Sequence, residues 1–298
     1  MRRELTARTR STGFTLVELT LVIVIGGIMA AALTTFMRPA FDGYLDTRSR
    51  AELAAIAANA LRRMQQDVRT AVPNSIRTPG EQCFETIPTI AGGRLRKGPD
   101  TINDSGPGCT PSAKCSAPFD PSQAVSSFDA LTSLQALPSN GDFVVVDNQN
   151  PGDVYAGTNR VAIKFMDVPT AVYGKHRINF PSTSFAPGYD GGRFVIVPAA
   201  QQAVFYTCAG ADGKLDADGN GRGTLWRRQA YGFNAAYPAA CPDAGGDILA
   251  TSVKSCRFLY DPNKGATQQN GFLSMQIELA RRGETASLIV GAHVLNVP

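Results

Sequence analysis

The stretch FTLVELTLVIVIGGIMAAALTTFM, residues Phe14–Met37, decides how this chain is built. As an α-helix at ~1.5 Å rise per residue it spans roughly 36 Å, enough to cross a hydrocarbon core of ~30 Å. A polar, basic stretch, MRRELTARTRSTG, precedes it as residues 1–13. An ordinary secretory signal is cut after its apolar run, whereas the natural cut here precedes the run. The sequence therefore predicts a leader at 1–13 and a retained membrane anchor at 14–37.

The charge distribution predicts the orientation of this anchor. Of the net charge of +4, three units belong to residues 1–13, which contain four arginines and one glutamate. By the positive-inside rule the N-terminus lies in the cytoplasm and the remaining chain outside, so we expect a single-pass membrane protein with its body outside the cytoplasm. The nearly neutral body gives no electrostatic argument for nucleic-acid binding, which would need a basic face able to neutralise many phosphates, and we expect no nucleic-acid partner.

A single carboxylate, Glu18, interrupts the apolar run. At the centre of a bilayer such a group costs about 2.5 to 3.5 kcal/mol, so its presence suggests a purpose. If the chain is cut between Gly13 and Phe14, the new amine is cationic, and Glu18 of one subunit can meet the amine of a neighbour when helices pack in a staggered bundle. The alternative is that Glu18 lies close enough to the interface to reach water.

The residues Gly13, Phe14 and Glu18, in the sequence GFTLVE, resemble the prepilin motif of type IV pilins and pseudopilins. This resemblance implies cleavage after Gly13 by a prepilin peptidase, N-methylation of Phe14, and a role for Glu18 in docking each subunit into a fibre. It also implies other pilin subunits and an inner-membrane pilus assembly platform as partners, with the mature chain passing from the membrane to a filament at the cell surface.

Residues 38–73 carry an amphipathic helical pattern that extends the anchor. One face is apolar and is expected to pack on a soluble domain; it comprises Phe41, Tyr44, Leu45, Leu53, Ile56, Ala57, Ala60, Leu61, Met64, Val68 and Val72. The other face is charged and comprises Arg48, Arg50, Glu52, Arg62, Arg63, Gln66, Asp67 and Arg69. We interpret the charged face as solvated, with a subunit contact as the alternative. Pro73 is expected to end the helix, and any kink at Pro39 falls beyond the membrane span.

Residues 74–298 predict a β-rich globular domain. Residues 78–140 are dense in Gly, Pro, Ser and Thr and indicate either a loop stapled by cysteines or short strands hidden in it. Runs rich in Val, Ile, Phe and Tyr then predict strands at 142–148, 160–166, 193–198, 203–208, 253–260, 271–280 and 286–297. Because these strands follow one helix, the predicted fold is α+β: a long N-terminal helix, half transmembrane and half amphipathic, packed on an antiparallel sheet. The resemblance to pilins implies the same arrangement.

Scattered patches of the body resemble one group of pilins more closely. They include QCFETIPTIAGGRLR at 82–96, VFYTC at 204–208 and SCRFLY at 255–260. They are similar to the minor pilins of MSHA-pilus biogenesis, which implies a structural subunit that takes part in pilus assembly or forms the tip. The alternatives are a pseudopilin of a type II secretion system and a membrane-tethered extracytoplasmic adhesin or binding protein.

Six cysteines lie in the body, and none forms a CxxC pair or a zinc-like spacing with histidine. This pattern favours disulfides in an oxidising compartment, with buried free thiols as the alternative. Fifteen connectivities are possible. The strand-like settings of two cysteines and the short CTPSAKC loop favour Cys208–Cys256, Cys109–Cys115 and, by remainder, Cys83–Cys241.

One loop, AGADGKLDADGNGRG, offers oxygen ligands that suit calcium. Asp216, Asp218 and Asn220, followed by Gly221, fit the DxDxNG opening of a calcium loop. An EF-hand is excluded because Arg227 stands where the twelfth-position acid would be. The alternative is a polar turn, so calcium is the only cofactor the sequence leaves open.

No sequence motif of catalysis is present. The chain has two histidines, His176 and His293, and lacks the GxSxG and HExxH patterns. We therefore expect that the protein is not an enzyme.

Overall fold

The computed structural model describes residues 13–112, 114–185, 191–263 and 270–295. Most of the expected leader, residues 1–12, lies outside this range. The chain forms two compact units, which divide between Ser49 and Arg50. The first consists of the N-terminal part of helix α1, and the second contains the rest of α1 and every strand. Helix α1 extends over Leu16–Arg69 and continues through Pro39.

In the second unit α1 buries one face. Leu53, Ala57, Leu61, Met64 and Val68 follow steps of three and four residues, and all are at most 1% exposed. Such spacing places side chains on one stripe of a helix, which here faces the core.

Helix α1 ends at Arg69, before the expected stop at Pro73. The backbone beyond it pairs with a neighbouring segment, since Thr89 N–H donates to Thr70 O at 2.9 Å and Ala71 forms a bridge with Pro88. The backbone therefore enters β-type pairing directly after the helix. The helix ends before Pro73 is reached, so Pro73 is not what stops it.

In the described residues, fourteen strands and one short helix follow α1. They are β1 Arg77–Gly80, β2 Cys83–Thr86, β3 Ala91–Arg94, β4 Val125–Ala130, β5 Phe143–Val146, α2 Asp153–Ala156, β6 Arg160–Ala162, β7 Phe165–Asp167, β8 His176–Thr183, β9 Arg193–Val197, β10 Val204–Ala209, β11 Gly223–Arg228, β12 Asp247–Asp261, β13 Asn270–Arg281 and β14 Glu284–Leu295.

The largest sheet supports α1. Its seven strands are all antiparallel and run in the order β1-β2-β10-β11-β12-β13-β14. The buried stripe of α1 shares one hydrophobic core with residues of this sheet, among them Tyr206, Leu225, Phe258 and Met275. The prediction of an α+β fold with a long N-terminal helix on an antiparallel sheet is confirmed.

Two smaller sheets form a second layer that the sequence did not predict. One has the order β3-β9-β5-β6 and the other β4-β8-β7. They enclose a separate core that contains Phe128, Ile178, Phe194 and Ile196. A third cluster, which includes Val72, joins the end of α1 to the four-stranded sheet. The run at 160–166, expected to be one strand, is divided between β6 and β7 of different sheets.

The region 78–140 contains both features that the sequence left open. It forms parts of four strands, β1 to β4, and it carries a disulfide within its longest loop. The sequence pattern does not reveal these strands because β1, β2 and β3 have only four residues each. In addition, β1 (RTPG) and β3 (AGGR) contain no run of β-branched residues.

Candidate functional site

The N-terminal end of α1 is closed by a reciprocal set of hydrogen bonds. Glu18 N–H donates to Thr15 Oγ1 at 3.2 Å, while Thr15 N–H and the Thr15 hydroxyl each donate to Glu18 Oε2 at 3.0 Å. This arrangement is the capping box of a T-x-x-E sequence, in which the third helical residue satisfies the backbone of the cap. Sequence reasoning singled out Glu18 but missed Thr15, although T-x-x-E ahead of an apolar run is the signal for it.

The two oxygens of Glu18 differ in their contacts. Oε2 accepts both bonds from Thr15, whereas Oε1 meets no donor among residues 13–112, 114–185, 191–263 and 270–295. The carboxylate is thus oriented by its own helix and presents one oxygen outward. It lies among apolar residues, since Val17 and Leu19 flank it and both are exposed.

Within residues 13–49, the described part of the first unit, no side chain is buried. From Phe14, which is 83% exposed, to Met37 every described residue is exposed. This segment is long and apolar enough to anchor the chain in a membrane. Phe41, Tyr44 and Leu45, expected to pack on the body, are also exposed. In the second unit, burial along α1 begins at Leu53, and the packing of these three residues on the body stays a prediction.

A buried charged network fixes α1 to the seven-stranded sheet. Asp67 was expected on the solvated face but is buried, and its Oδ2 accepts bonds from Arg227 Nη2 at 2.8 Å and from the Tyr206 hydroxyl at 2.6 Å. Burial and the Asp67 carboxylate raise the pKa of Tyr206, so the phenol stays a donor. Other charged residues of α1 form exposed ion pairs with the sheet, Arg50 with Glu284 and Glu52 with Arg281.

The six cysteines form three disulfides. They are Cys83–Cys241, Cys109–Cys115 and Cys208–Cys256, which are the pairs that the sequence favours. Cys208 and Cys256 tie β10 to β12 across the large sheet. Cys241 ties the segment before β12 to β2, an early strand of the same sheet.

A second buried ion pair holds the short disulfide loop. Arg177 on β8 forms a bidentate pair with Asp129 on β4, with nitrogen–oxygen distances of 2.6 and 3.0 Å. The same guanidinium donates to Ser112 O and Cys115 O, both at 2.8 Å. The loop therefore has a fixed position on the three-stranded sheet, for which the local sequence offered no signal.

The loop proposed for calcium forms a hydrogen-bonded turn. Asp216 Oδ1 accepts the N–H groups of Asp218 and Asn220 at 3.0 and 2.8 Å, and Asn220 Oδ1 accepts Arg282 N–H at 3.1 Å. Asp212 forms an ion pair with Arg222 instead of turning toward these residues. In the part of the chain that the structure describes, no three acidic, histidine or cysteine side chains group together as metal ligands. These bonds favour the polar turn that the sequence offered as the alternative, and calcium binding stays a prediction.

The two histidines lie in unrelated settings. His176 Nε2 accepts the Leu134 N–H at 3.3 Å, and the His293 ring lies 4.9 Å from the Phe272 ring on neighbouring strands. Each has a structural partner. The absence of catalysis stays a prediction.

Comparison with known proteins supports the N-terminal assignment. Residues 8–34 match the family model described as the prokaryotic N-terminal methylation motif. The chain therefore carries the processing motif of type IV pilin-like and pseudopilin-like proteins on a helix able to anchor it in a membrane. The match ends within the apolar segment, and residues 8–12 lie outside the described part of the structure. No curated protein and no solved structure matches the chain.

Proposed function

We propose that this chain is a minor pilin of an MSHA-like type IV pilus, of the MshO type. It is inserted in the bacterial inner membrane with its body in the periplasm, cut after Gly13 by a prepilin peptidase, methylated at Phe14, and passed by the assembly platform into the filament. The observation that carries this proposal is the unpacked apolar helix that begins with a methylation motif and a capped Glu18.

Glu18 supplies the docking chemistry in this proposal. Its Oε2 is held by Thr15, so the side chain is oriented before a second subunit arrives. Its Oε1 is then available to the cationic amine of Phe14 on a neighbouring subunit, and in an apolar surrounding that charge pair is far stronger than in water. Cleavage creates the amine, so assembly follows processing.

The assignment to the MSHA-like minor pilins, rather than to pilin-like proteins in general, rests on the body of the protein. The patches that resemble MSHA-pilus minor pilins coincide with β2, β10 and β12 of the large sheet and with β3 of the four-stranded sheet. A type II secretion pseudopilin shares the anchor and is the alternative. A deletion strain separates them: loss of pili in electron micrographs supports a pilus subunit, and intact pili with a secretion defect supports the pseudopilin.

Two variants separate docking from helix capping. Glu18→Gln keeps the capping box, since glutamine also serves at its third position, and removes the charge. Thr15→Val removes the capping hydroxyl and keeps the carboxylate. We expect Glu18→Gln to be cut and membrane-bound but excluded from sheared filaments, while Thr15→Val is incorporated at close to the wild-type level. Equal incorporation of Glu18→Gln and wild type, or an intact precursor with unmodified Phe14 in mass spectra of filaments, contradicts the proposal.

A further inference from the structure

A surface cavity of about 430 Å³ lies between the end of α1 and one face of the four-stranded sheet. Arg69 and Thr70 of the helix end form one wall, and β3, β5 and β9 form the other. This volume is within the range of ordinary small-molecule sites. It belongs to the second unit and is remote in sequence from the processing motif.

Two arginines face each other directly on this sheet. Arg94 on β3 and Arg193 on β9 are register partners of an antiparallel pair, so their side chains leave the same face a few ångströms apart. Like charges in this position oppose folding, and both side chains are exposed at the cavity. Within the described ranges neither guanidinium has a carboxylate oxygen within 4.0 Å.

The remaining charges do not cancel this pair. Arg69, in the last turn of α1, adds a third guanidinium at the same cavity. Among the described lining residues the acidic one is Asp147, whose oxygens accept the N–H groups of Gly192 at 3.0 Å and Arg193 at 2.9 Å. These bonds leave the carboxylate charged, but three arginines against one carboxylate give the described lining a net positive charge.

The cavity floor is apolar and depends on a glycine. Val145 and Val195 lie side by side on this face, and Gly92 is the partner of Val195 on β3. A β-carbon at Gly92 would lie 2.8 Å from Phe194 O and 3.0 Å from Val195 Cγ1, so a side chain there would also fill the hollow. A small apolar floor beneath three guanidinium groups suits a ligand with an oxyanion at one end and a compact body at the other.

We propose that this cavity, which we call the arginine cavity, binds a small oxyanion ligand, a carboxylate or a phosphate, on a compact body. Guanidinium groups pair with both oxyanions through two parallel hydrogen bonds, which a lysine cannot do. The repulsion between Arg94 and Arg193 is relieved when the ligand binds. The site is independent of filament assembly and would give the body a binding role of its own.

The test uses the full chain in non-ionic detergent, titrated by calorimetry with glucuronate, glucose and inorganic phosphate. We expect glucuronate or phosphate to bind and glucose, which lacks the carboxylate, not to bind. Binding of glucuronate alone identifies a carboxylate site, and binding of phosphate identifies a general oxyanion site. Affinity should fall with added salt, because the arginines are exposed.

Variants at the opposed arginines give the decisive comparison. Arg94→Gln or Arg193→Gln should weaken binding about tenfold, the effect of losing one charge-assisted contact, and should leave the melting temperature equal or higher because repulsion is removed. Arg282→Gln, in the turn between β13 and β14, removes the same charge elsewhere and should bind like wild type. Absence of binding to both anions, or equal weakening in Arg282→Gln, overturns the proposal.

Discussion

The buried contact between Asp67 and Arg227 makes a sharp test of how α1 is held. Both side chains are 5% exposed, and two guanidinium nitrogens lie 2.8 and 3.1 Å from Asp67 Oδ2. Asp67→Asn preserves the shape and leaves Arg227 buried without a counter-charge. Removing one partner of a buried pair costs about 3 to 5 kcal/mol, a large share of the stability of a domain.

Two further variants provide smaller expected losses of folding stability with which the loss in Asp67→Asn can be compared. Tyr206→Phe removes one hydrogen bond to the same carboxylate and should cost about 1.5 to 3 kcal/mol. Arg63→Gln removes a contact of 3.7 Å from a side chain that is 41% exposed, and should cost at most about 1 kcal/mol. The order Asp67→Asn, Tyr206→Phe, Arg63→Gln is therefore expected.

Urea unfolding of the full chain in non-ionic detergent measures these differences. The single tryptophan, Trp226, lies next to Arg227 on β11 and reports unfolding by its fluorescence. If Asp67→Asn loses no more stability than Arg63→Gln, the charged network does not fix the helix and the reasoning fails.

Three other outcomes are expected. Replacing Cys83 and Cys241 by alanine should cost about 5 kcal/mol in urea unfolding, because the bond joins residues 158 apart, against about 2 kcal/mol for the short-loop disulfide; equal losses would contradict the chain-entropy account. Hydrogen bonds from Lys254 and Ser255 lower the pKa of Glu278 below 4.5. The ionised Glu278 carboxylate therefore stabilises the folded protein above pH 4.5, and this contribution is lost as the carboxylate is protonated at lower pH. Glu278→Gln should thus cost about 0.5 kcal/mol at neutral pH and nothing near pH 2.5, and a pH-independent difference would exclude this cause. Millimolar calcium should leave the melting temperature unchanged, since Asp216 is engaged within its own turn; a rise that chelator reverses would restore the calcium site.

The sequence predicted those parts of the fold that depend on residues close together in the chain. The apolar run, its carboxylate at Glu18 and the β-branched strands are all visible within a few residues. The strand at Gly223–Arg228 was missed because it follows directly on an Asp- and Gly-rich turn, and four-residue strands show too little alternation to detect.

Long-range pairing explains the remaining misses. Asp67 looks like one more charged residue on a helix, and its partner Arg227 is 160 residues away. Likewise Arg94 and Arg193 become neighbours only when β3 pairs with β9. No window of sequence contains such information, so the candidate N-terminal site could be predicted from sequence whereas the arginine cavity could not.

The strand order of the large sheet has a consequence for folding. The apolar stripe of α1 precedes its partners in β12, β13 and β14 by most of the sequence of the second unit. Until those strands are in place, the stripe is uncovered and prone to aggregation with other chains. Ala292 and Val294 on β14 belong to the same core, so loss of β14 would prevent the core from closing.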